Sequence, residues 1–174
     1  MNWKDEIVKL VYVKQELAKV DKTGLWPHRL PAVATDRLHI AEIEKLLGFN
    51  LDQNYVNFLL HANGWEGVYQ SVDLLAVEDL LDTSKSKYAH MVFASIDDHV
   101  VAQSGFKKDE LIPIAATPYD KDIFLLAKPN SSEPGAVVWF AGDLIDKFAN
   151  FEEFFLAMID CNRAEIDYFK KQNI

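Results

Sequence analysis

Histidine and cysteine are the side chains that most often bind transition metals or act as nucleophiles, and this sequence contains few of either. The histidines do not pair at four-residue or zinc-type spacings. They are His28, His39, His61, His90 and His99. The single cysteine, Cys161, follows Asp160, whose charge disfavours the reactive thiolate. We therefore predict no metal site, no cofactor and no catalytic thiol.

Other catalytic signatures are also missing from the sequence. The run from Gly64 to Gly67 has a glycine at each end, but it lacks the lysine and the serine or threonine of a phosphate-binding loop. No serine lies in a nucleophile-elbow motif. His99 follows two aspartates, and such neighbours in a predicted loop typically face water. We therefore predict that the protein is not an enzyme.

Acidic side chains are more abundant, and they occur in two groups. The first group lies around a predicted strand end and turn and consists of Asp73, Glu78, Asp79 and Asp82. The second group falls in the predicted loops around the middle strands and consists of Asp97, Asp98, Asp109, Glu110, Asp120 and Asp122. Carboxylates at one end of a sheet form either a solvated rim or a surface for a basic partner, and a close pair would also suit glycoside hydrolysis. The sequence leaves these alternatives open.

The net charge of the chain limits which classes of molecule are expected to bind it. With 27 acidic and 18 basic residues, the formal net charge is −9 at neutral pH. Nucleic acids and anionic membranes attract clusters of lysine and arginine, so we expect neither as a partner. The lone cysteine, the charged first nine residues and the lack of an apolar run of about 20 residues predict a cytoplasmic protein.

Apolar residues at helical spacing predict long helices near both ends of the chain. The first covers residues 2–20 and gives way to an extended loop over residues 26–31. The last begins at Asn150, which forms a capping-box-like pair with Glu153. Its buried face is predicted to comprise Phe151, Phe154, Phe155, Met158, Ile159, Asn162, Ile166 and Phe169.

Two shorter helices are predicted between residues 35 and 64. Thr35 or Asp36 caps one that ends at Gly48, and Asp52 caps another that ends at Asn63-Gly64. The inner face of the former is predicted to hold Ile40, Ile43, Leu46 and Leu47. The inner face of the latter is predicted to hold Tyr55, Phe58, Leu59 and Ala62.

The middle of the chain has a strand-like pattern that is interrupted by polar segments. One strand is predicted over residues 65–75, followed by a helical turn over 78–81 and a polar loop over 82–87. After this loop, residues 91–93 suit a strand and residues 97–104 suit a helix.

Three further strands are predicted over residues 112–115, 123–127 and 136–140, which are rich in β-branched and aromatic residues. The segments between them contain turn-forming residues and are too short for a helical crossover. The sequence therefore predicts an antiparallel meander between the early helices and a closing helix.

The stretch from Asp36 to Gly67 resembles the opening motif of the SUKH superfamily, which is named for bacterial immunity proteins and yeast cell-wall regulators of the Smi/Knr type. The matching positions are Ile40, Glu44, Leu47, Gly48, Tyr55, Phe58, Leu59, Asn63 and Gly64. Later segments continue the resemblance, over 74–80, 112–115, 122–125, 137–139 and 151–155. The similarity extends over about residues 36–160.

The resemblance implies an α+β fold, with helices packed against a curved, mostly antiparallel sheet. In this interpretation residues 1–35 form an N-terminal helix and an extended loop, residues 36–174 form the SUKH-like domain, and the whole is one compact unit. The resemblance also implies a role in protein binding without catalysis. In bacteria, such proteins neutralise toxins, often nucleases.

We therefore expect a protein partner, a basic toxin domain, that is bound through acidic and aromatic side chains. The predicted contact residues are Asp73, Glu78, Asp79, Asp120 and Asp122, with Trp65 and Tyr119 as aromatic anchors. One alternative is an intracellular regulatory scaffold of the cell-wall-regulator type. Another is a small hydrolase or ligand-binding protein that uses the acidic loops.

Overall fold

Each strand of the protein pairs in an antiparallel manner with the next strand along the chain, which produces one open six-stranded sheet. The computed structural model describes residues 1–172. Its strands are β1 (Trp65–Tyr69), β2 (Val72–Leu74), β3 (Leu111–Ala116), β4 (Asp122–Ala127), β5 (Val137–Ala141) and β6 (Asp143–Phe148). The predicted α+β class and the antiparallel meander are confirmed.

The helices lie before, within and after this meander. They are α1 (Trp3–Val20), α2 (Arg37–Leu47), α3 (Gln53–Leu59), α4 (Lys87–Ser95), α5 (Asp98–Gln103) and α6 (Phe151–Gln172). Two 3₁₀ turns cover Val77–Leu80 and Lys108–Glu110. The predicted caps at Asp36 and Asp52 are confirmed, since both carboxylates accept backbone N–H groups of the first helical turn. Asn150 caps α6 in the same way, through the backbone N–H of Glu153.

The sheet is covered by helices on both faces. All six residues of β3 are buried, although successive side chains of a strand point to opposite faces. On one face Phe124 of β4 packs against Phe154 of α6, with ring centroids 5.0 Å apart. Helix α4 packs on β3 and β4, and α5 packs on β6. Burial on both faces explains why the central strands are almost continuously apolar.

Helix α1 is attached to the rest of the protein through an aromatic cluster. The indole of Trp3 lies 5.4 Å from the ring of Phe58, 5.6 Å from that of Phe151 and 5.3 Å from that of Phe155. Trp3 is 3% exposed, and α1 runs against α6. The N-terminal helix therefore completes the hydrophobic core.

The loop after α1 runs along the edge strand β1. Asp21 anchors the start of the loop by accepting the backbone N–H groups of Leu25 and Trp26 at 2.9 and 3.0 Å. Further along, Ala32 donates its N–H to the carbonyl of Gly64 at 3.0 Å. An uncovered edge strand favours aggregation, so this loop protects the sheet as well as joining two helices.

One strand prediction is wrong. The single strand predicted over residues 65–75 is a hairpin, in which β1 and β2 are joined by a turn at Gln70 and Ser71. Gln70 has a φ of 48°, which a residue other than glycine rarely adopts. The alternating pattern of the sequence continues through the turn, so the pattern did not indicate that the chain reverses direction there.

Two smaller expectations also differ from the structure, and one strand was not predicted. Residues 91–93 belong to α4 and form no strand, whereas the helix suggested over 97–104 is confirmed as α5. Strand β6 was not predicted, because three of its six residues are charged and its polar and apolar residues do not alternate. Leu46, assigned to the inner face of α2, is 69% exposed.

Replacing Trp3 with alanine tests whether α1 belongs to the cooperative core. We expect Trp3→Ala to lower the free energy of unfolding by about 3–5 kcal/mol, the cost of truncating a large buried aromatic side chain. Tyr12→Ala is the matched control, because Tyr12 lies on the same helix but is 64% exposed, and we expect a change within about 0.5 kcal/mol. Urea unfolding followed by circular dichroism measures both. Equal stabilities of the two variants would contradict the docking of α1.

Candidate protein-binding site

A groove of about 500 Å³ lies beside the β1–β2 hairpin, the first 3₁₀ turn and the start of α4. Four carboxylates line it, those of Glu66, Asp73, Glu78 and Asp79, together with one lysine, Lys85. We call it the acidic groove. The remaining lining residues include Asn63, Trp65 and Tyr88, and Ala32 and Val33 of the N-terminal loop. Three of the five predicted acidic contact residues therefore share one concave surface.

Asn63 and Gly64 hold the turn that carries two of these carboxylates. The Asn63 side chain accepts the backbone N–H of Val77 at 2.9 Å, and its amide donates to Glu78 Oε2 at 3.0 Å. Gly64 has a φ of 92°, and a Cβ there would lie 2.9 Å from both Ala76 N and Leu74 O. The close approach of these backbone segments therefore requires glycine.

Glu78 is ionised and stays partly open to solvent. Partial burial disfavours its charge, but the hydrogen bond from Asn63, a backbone hydrogen bond and the nearby His39 outweigh burial and hold the pKa of Glu78 below its ordinary value. His39 Nε2 lies 3.5 Å from Glu78 Oε2, and the Glu78 side chain is 45% exposed. This carboxylate is therefore positioned to accept a donor from outside.

Asp73 has a different environment, because it is half-buried. Burial raises the pKa of its carboxyl group, and hydrogen bonds from Gly67 N–H at 2.8 Å and the Tyr88 hydroxyl at 3.4 Å oppose this only in part. Burial and the neighbouring Asp73 charge in turn raise the pKa of Tyr88, so that its hydroxyl remains a donor. The ionised Asp73 is therefore costly to the fold at neutral pH.

Asp79 serves the groove mainly by fixing its border. It is 9% exposed and accepts the Thr83 hydroxyl at 2.7 Å. The backbone N–H of Thr83 in turn donates to the hydroxyl of Ser86, at 3.1 Å. These contacts order the loop that brings Lys85 and Tyr88 to the groove.

The other predicted contact residues lie elsewhere. Tyr119 and Asp120 are exposed in the β3–β4 turn, and Tyr119 lines a separate depression with Trp26 and Pro27. Asp122 accepts the indole N–H of Trp139 at 2.6 Å, and burial raises its pKa. The structure thus divides the predicted contact residues between two surfaces.

Trp65 belongs mainly to the core. It is 1% exposed, and its indole N–H donates to the Arg29 carbonyl at 2.9 Å. In its present position it offers almost no surface to a partner. Among the aromatic residues predicted as anchors, Tyr119 is the one that is exposed, at 85%.

Sequence reasoning missed Glu66, Lys85 and Tyr88 as groove residues. Glu66 could have been found from strand alternation, since Trp65 and Gly67 on either side of it are buried while Glu66 is exposed. Lys85 and Tyr88 could not have been found from the sequence, because their position depends on how the loop after the 3₁₀ turn folds back.

Comparison with known families assigns this architecture. Residues 35–157 match the family model described as SMI1 / KNR4 family (SUKH-1), which is more than half of the chain. The chain belongs to the SMI1/KNR4 family. A search of curated proteins gives no match to this sequence. Membership is consistent with a protein-binding role of the immunity or regulatory type.

The SUKH-1 motif residues can now be given structural roles. Glu44 accepts the backbone N–H of Leu51 at 2.7 Å, which closes the α2–α3 connection. Gly48 ends α2 in the left-handed conformation, and Asn63 and Gly64 fix the groove turn. Within residues 1–172 no cluster of three or more metal-ligating side chains occurs, and none of the helices is long and apolar enough to cross a membrane.

The requirement for glycine at position 64 can be measured in this SUKH-1 protein. We expect Gly64→Ala to cost about 1–3 kcal/mol more than Gly24→Ala, because an added Cβ would press on backbone atoms that cannot move aside cheaply. Gly24 is a matched control, since its φ is also positive, at 64°, but nothing lies within 4 Å of an added Cβ. Urea unfolding of both variants compares the costs, and equal losses would show that the close approach is not a constraint.

The raised pKa of Asp73 predicts a pH-dependent effect of its removal. Protonated Asp73 suits the folded state, so its contribution to stability is present at acidic pH and is lost as pH rises through the raised pKa. We therefore expect Asp73→Asn to become more stable relative to the wild type between pH 3 and pH 7. Urea unfolding at both pH values measures this, with Asp167→Asn as the control for loss of an exposed charge. A difference independent of pH would contradict the assignment.

Proposed function

We propose that this SUKH-1 protein is a protein-binding module that neutralises a cognate basic toxin, such as a nuclease, in the cytoplasm. In this proposal, the acidic groove receives basic side chains of the toxin domain. Binding there occludes the toxin surface that would otherwise meet its substrate.

The observation that carries the proposal is the charge of the groove. The groove has a volume of about 500 Å³ and is lined by four carboxylates and one lysine. The chain that carries it has a net charge of −9. The negative charge of the groove and the negative net charge of the chain both attract a positively charged partner. This attraction speeds the encounter, and repulsion excludes partners of like charge. Nucleases that bind phosphate backbones have basic surfaces, which fits such a partner.

Exposed apolar side chains beside the groove would supply the less polar part of the interface. Val33 of the groove wall is 90% exposed. Leu38 is 79% exposed and precedes His39, which contacts Glu78. A charged centre with nearby apolar contacts suits a specific interface better than charge alone. The β3–β4 turn with Tyr119 and Asp120, together with Asp122 at the start of β4, is proposed as a secondary contact.

A regulatory scaffold is the second candidate, because the family includes both immunity and regulatory types. The same groove would then bind an endogenous basic protein. A toxin gene adjacent to the gene for this chain supports immunity, and stable association with housekeeping proteins supports the scaffold.

The groove also gives a reason to test for catalysis. Asp73 and Glu78 line it with pKa values shifted in opposite directions, a pattern that occurs at acid–base sites. In the binding proposal these shifts result from burial of Asp73 and from hydrogen bonding of Glu78. Turnover of glycosides by the purified protein would contradict that explanation.

Charge reversal in the groove should weaken toxin binding. We expect Glu66→Lys/Glu78→Lys to raise the Kd for the toxin domain about 10- to 100-fold, because attraction at the interface becomes repulsion. Glu16→Lys/Asp160→Lys is the matched control: it changes net charge equally, at side chains that are 60% and 73% exposed on α1 and α6. We expect the control to change Kd less than about 3-fold at physiological salt.

The partner in this experiment is a basic toxin domain, chosen from the product of a neighbouring gene where that gene encodes a secreted protein with a small basic C-terminal domain. Binding is measured by calorimetry, and protection is measured by growth of cells that express the toxin. Full protection by the groove variant would rule out this surface. Equal loss in both double variants would mean that net charge, and not the groove, determines binding.

A further inference from the structure

A second cavity, of about 90 Å³, lies between α1 and the N-terminal loop and has the opposite character to the acidic groove. Its polar lining comes from Lys14, Gln15, His28 and Arg29, and no aspartate or glutamate lines it. The guanidinium of Arg29 is turned toward Glu66, with Nε 3.9 Å from Oε2, so Lys14 and His28 are the basic groups that remain for the cavity. Val11 and Leu30 are among its apolar walls. The chain as a whole is acidic, with 27 acidic and 18 basic residues. A basic cavity that no carboxylate lines therefore differs from the overall charge of the chain.

Lys14 is the buried cation of this cavity. It is 3% exposed, and its ammonium donates to the backbone carbonyl of Gly67 in β1. An ammonium has three N–H donors, and this carbonyl is its hydrogen-bond partner within residues 1–172. No carboxylate of that part of the chain forms an ion pair with it, and desolvation lowers its pKa to about 8. A buried charge without a counter-ion is energetically costly.

His28 presents a second unused polar group. Its Nε2 lies 3.1 Å from Asp21 Oδ2, which orients the ring. Its Nδ1 is buried and has no hydrogen-bond partner in the part of the chain that the structure describes. With Nε2 donating to Asp21, Nδ1 donates to an anion only in the ring form that carries hydrogen on both nitrogens.

We propose that this cavity binds a small oxyanion, held by the ammonium of Lys14 and the free ring nitrogen of His28. The space equals about three waters at roughly 30 Å³ each, which also suits one inorganic phosphate, sulfate or small carboxylate. The anion supplies the missing counter-charge for Lys14 and an acceptor for His28. Because Lys14 also contacts β1, binding of the anion joins α1, the N-terminal loop and the edge strand.

The experiment measures unfolding of the full chain in inorganic phosphate, sulfate, acetate or chloride at constant ionic strength. At a phosphate concentration 100 times its Kd, we expect the folding equilibrium constant to rise about 100-fold relative to chloride. Lys14→Met should lose this response. Lys19→Met should keep it, because Lys19 lies on the same helix with a side chain that is 68% exposed. Comparison of sulfate with acetate distinguishes a tetrahedral from a planar oxyanion.

Equal stability in all four salts would overturn the proposal, since it would mean that water alone fills the cavity. An undiminished phosphate response in Lys14→Met would overturn it as well. If Lys14→Met does not fold, nitrogen NMR of the histidine rings in the wild type gives the answer. Saturating phosphate should shift the His28 ring nitrogens and leave those of the exposed His99 unchanged, and an unshifted His28 contradicts the site.

Discussion

The junction of Asn63 and Gly64 is the constraint on which the proposed binding surface depends. The Asn63 side chain satisfies the backbone N–H of Val77 and also holds Glu78, so one residue both starts the 3₁₀ turn and aims its carboxylate. Gly64 allows the chain before β1 to lie directly against the chain after β2. Without this contact the acids of the turn would have no fixed relation to Glu66 and Asp73 on the hairpin. A family motif that looks like a simple helix end is therefore also the support of the groove.

The N-terminal segment is an integral part of the same structure, although the family match begins only at residue 35. Trp3 fills the aromatic core between α3 and α6, and the loop beyond Asp21 covers the edge strand and supplies Val33 to the groove wall. The groove itself is costly to the fold, because Asp73 must hold a charge in a half-buried position. Such a cost is common where a surface is maintained for binding at the expense of stability.

The sequence predicted those elements whose ends have a local cause. Asp36, Asp52 and Asn150 cap helices through their own side chains, so the boundaries could be inferred without tertiary information. The hairpin turn at Gln70 was missed because its positive φ has no glycine to mark it. For the candidate site, Glu78 and Asp79 lie on one turn because they are adjacent in the chain. Their separation from Asp120 depends on which end of the sheet each turn occupies, and that is a property of strand pairing, not of composition.

The most direct test of the proposed function is hydrogen–deuterium exchange of the protein, alone and mixed with a candidate basic toxin domain. We predict slower exchange on binding in residues 63–66, 73–79 and 85–88, the three segments that supply most of the lining of the acidic groove. Exchange that slows only in the β3–β4 turn or along α6, with these three segments unchanged, would contradict the proposed function.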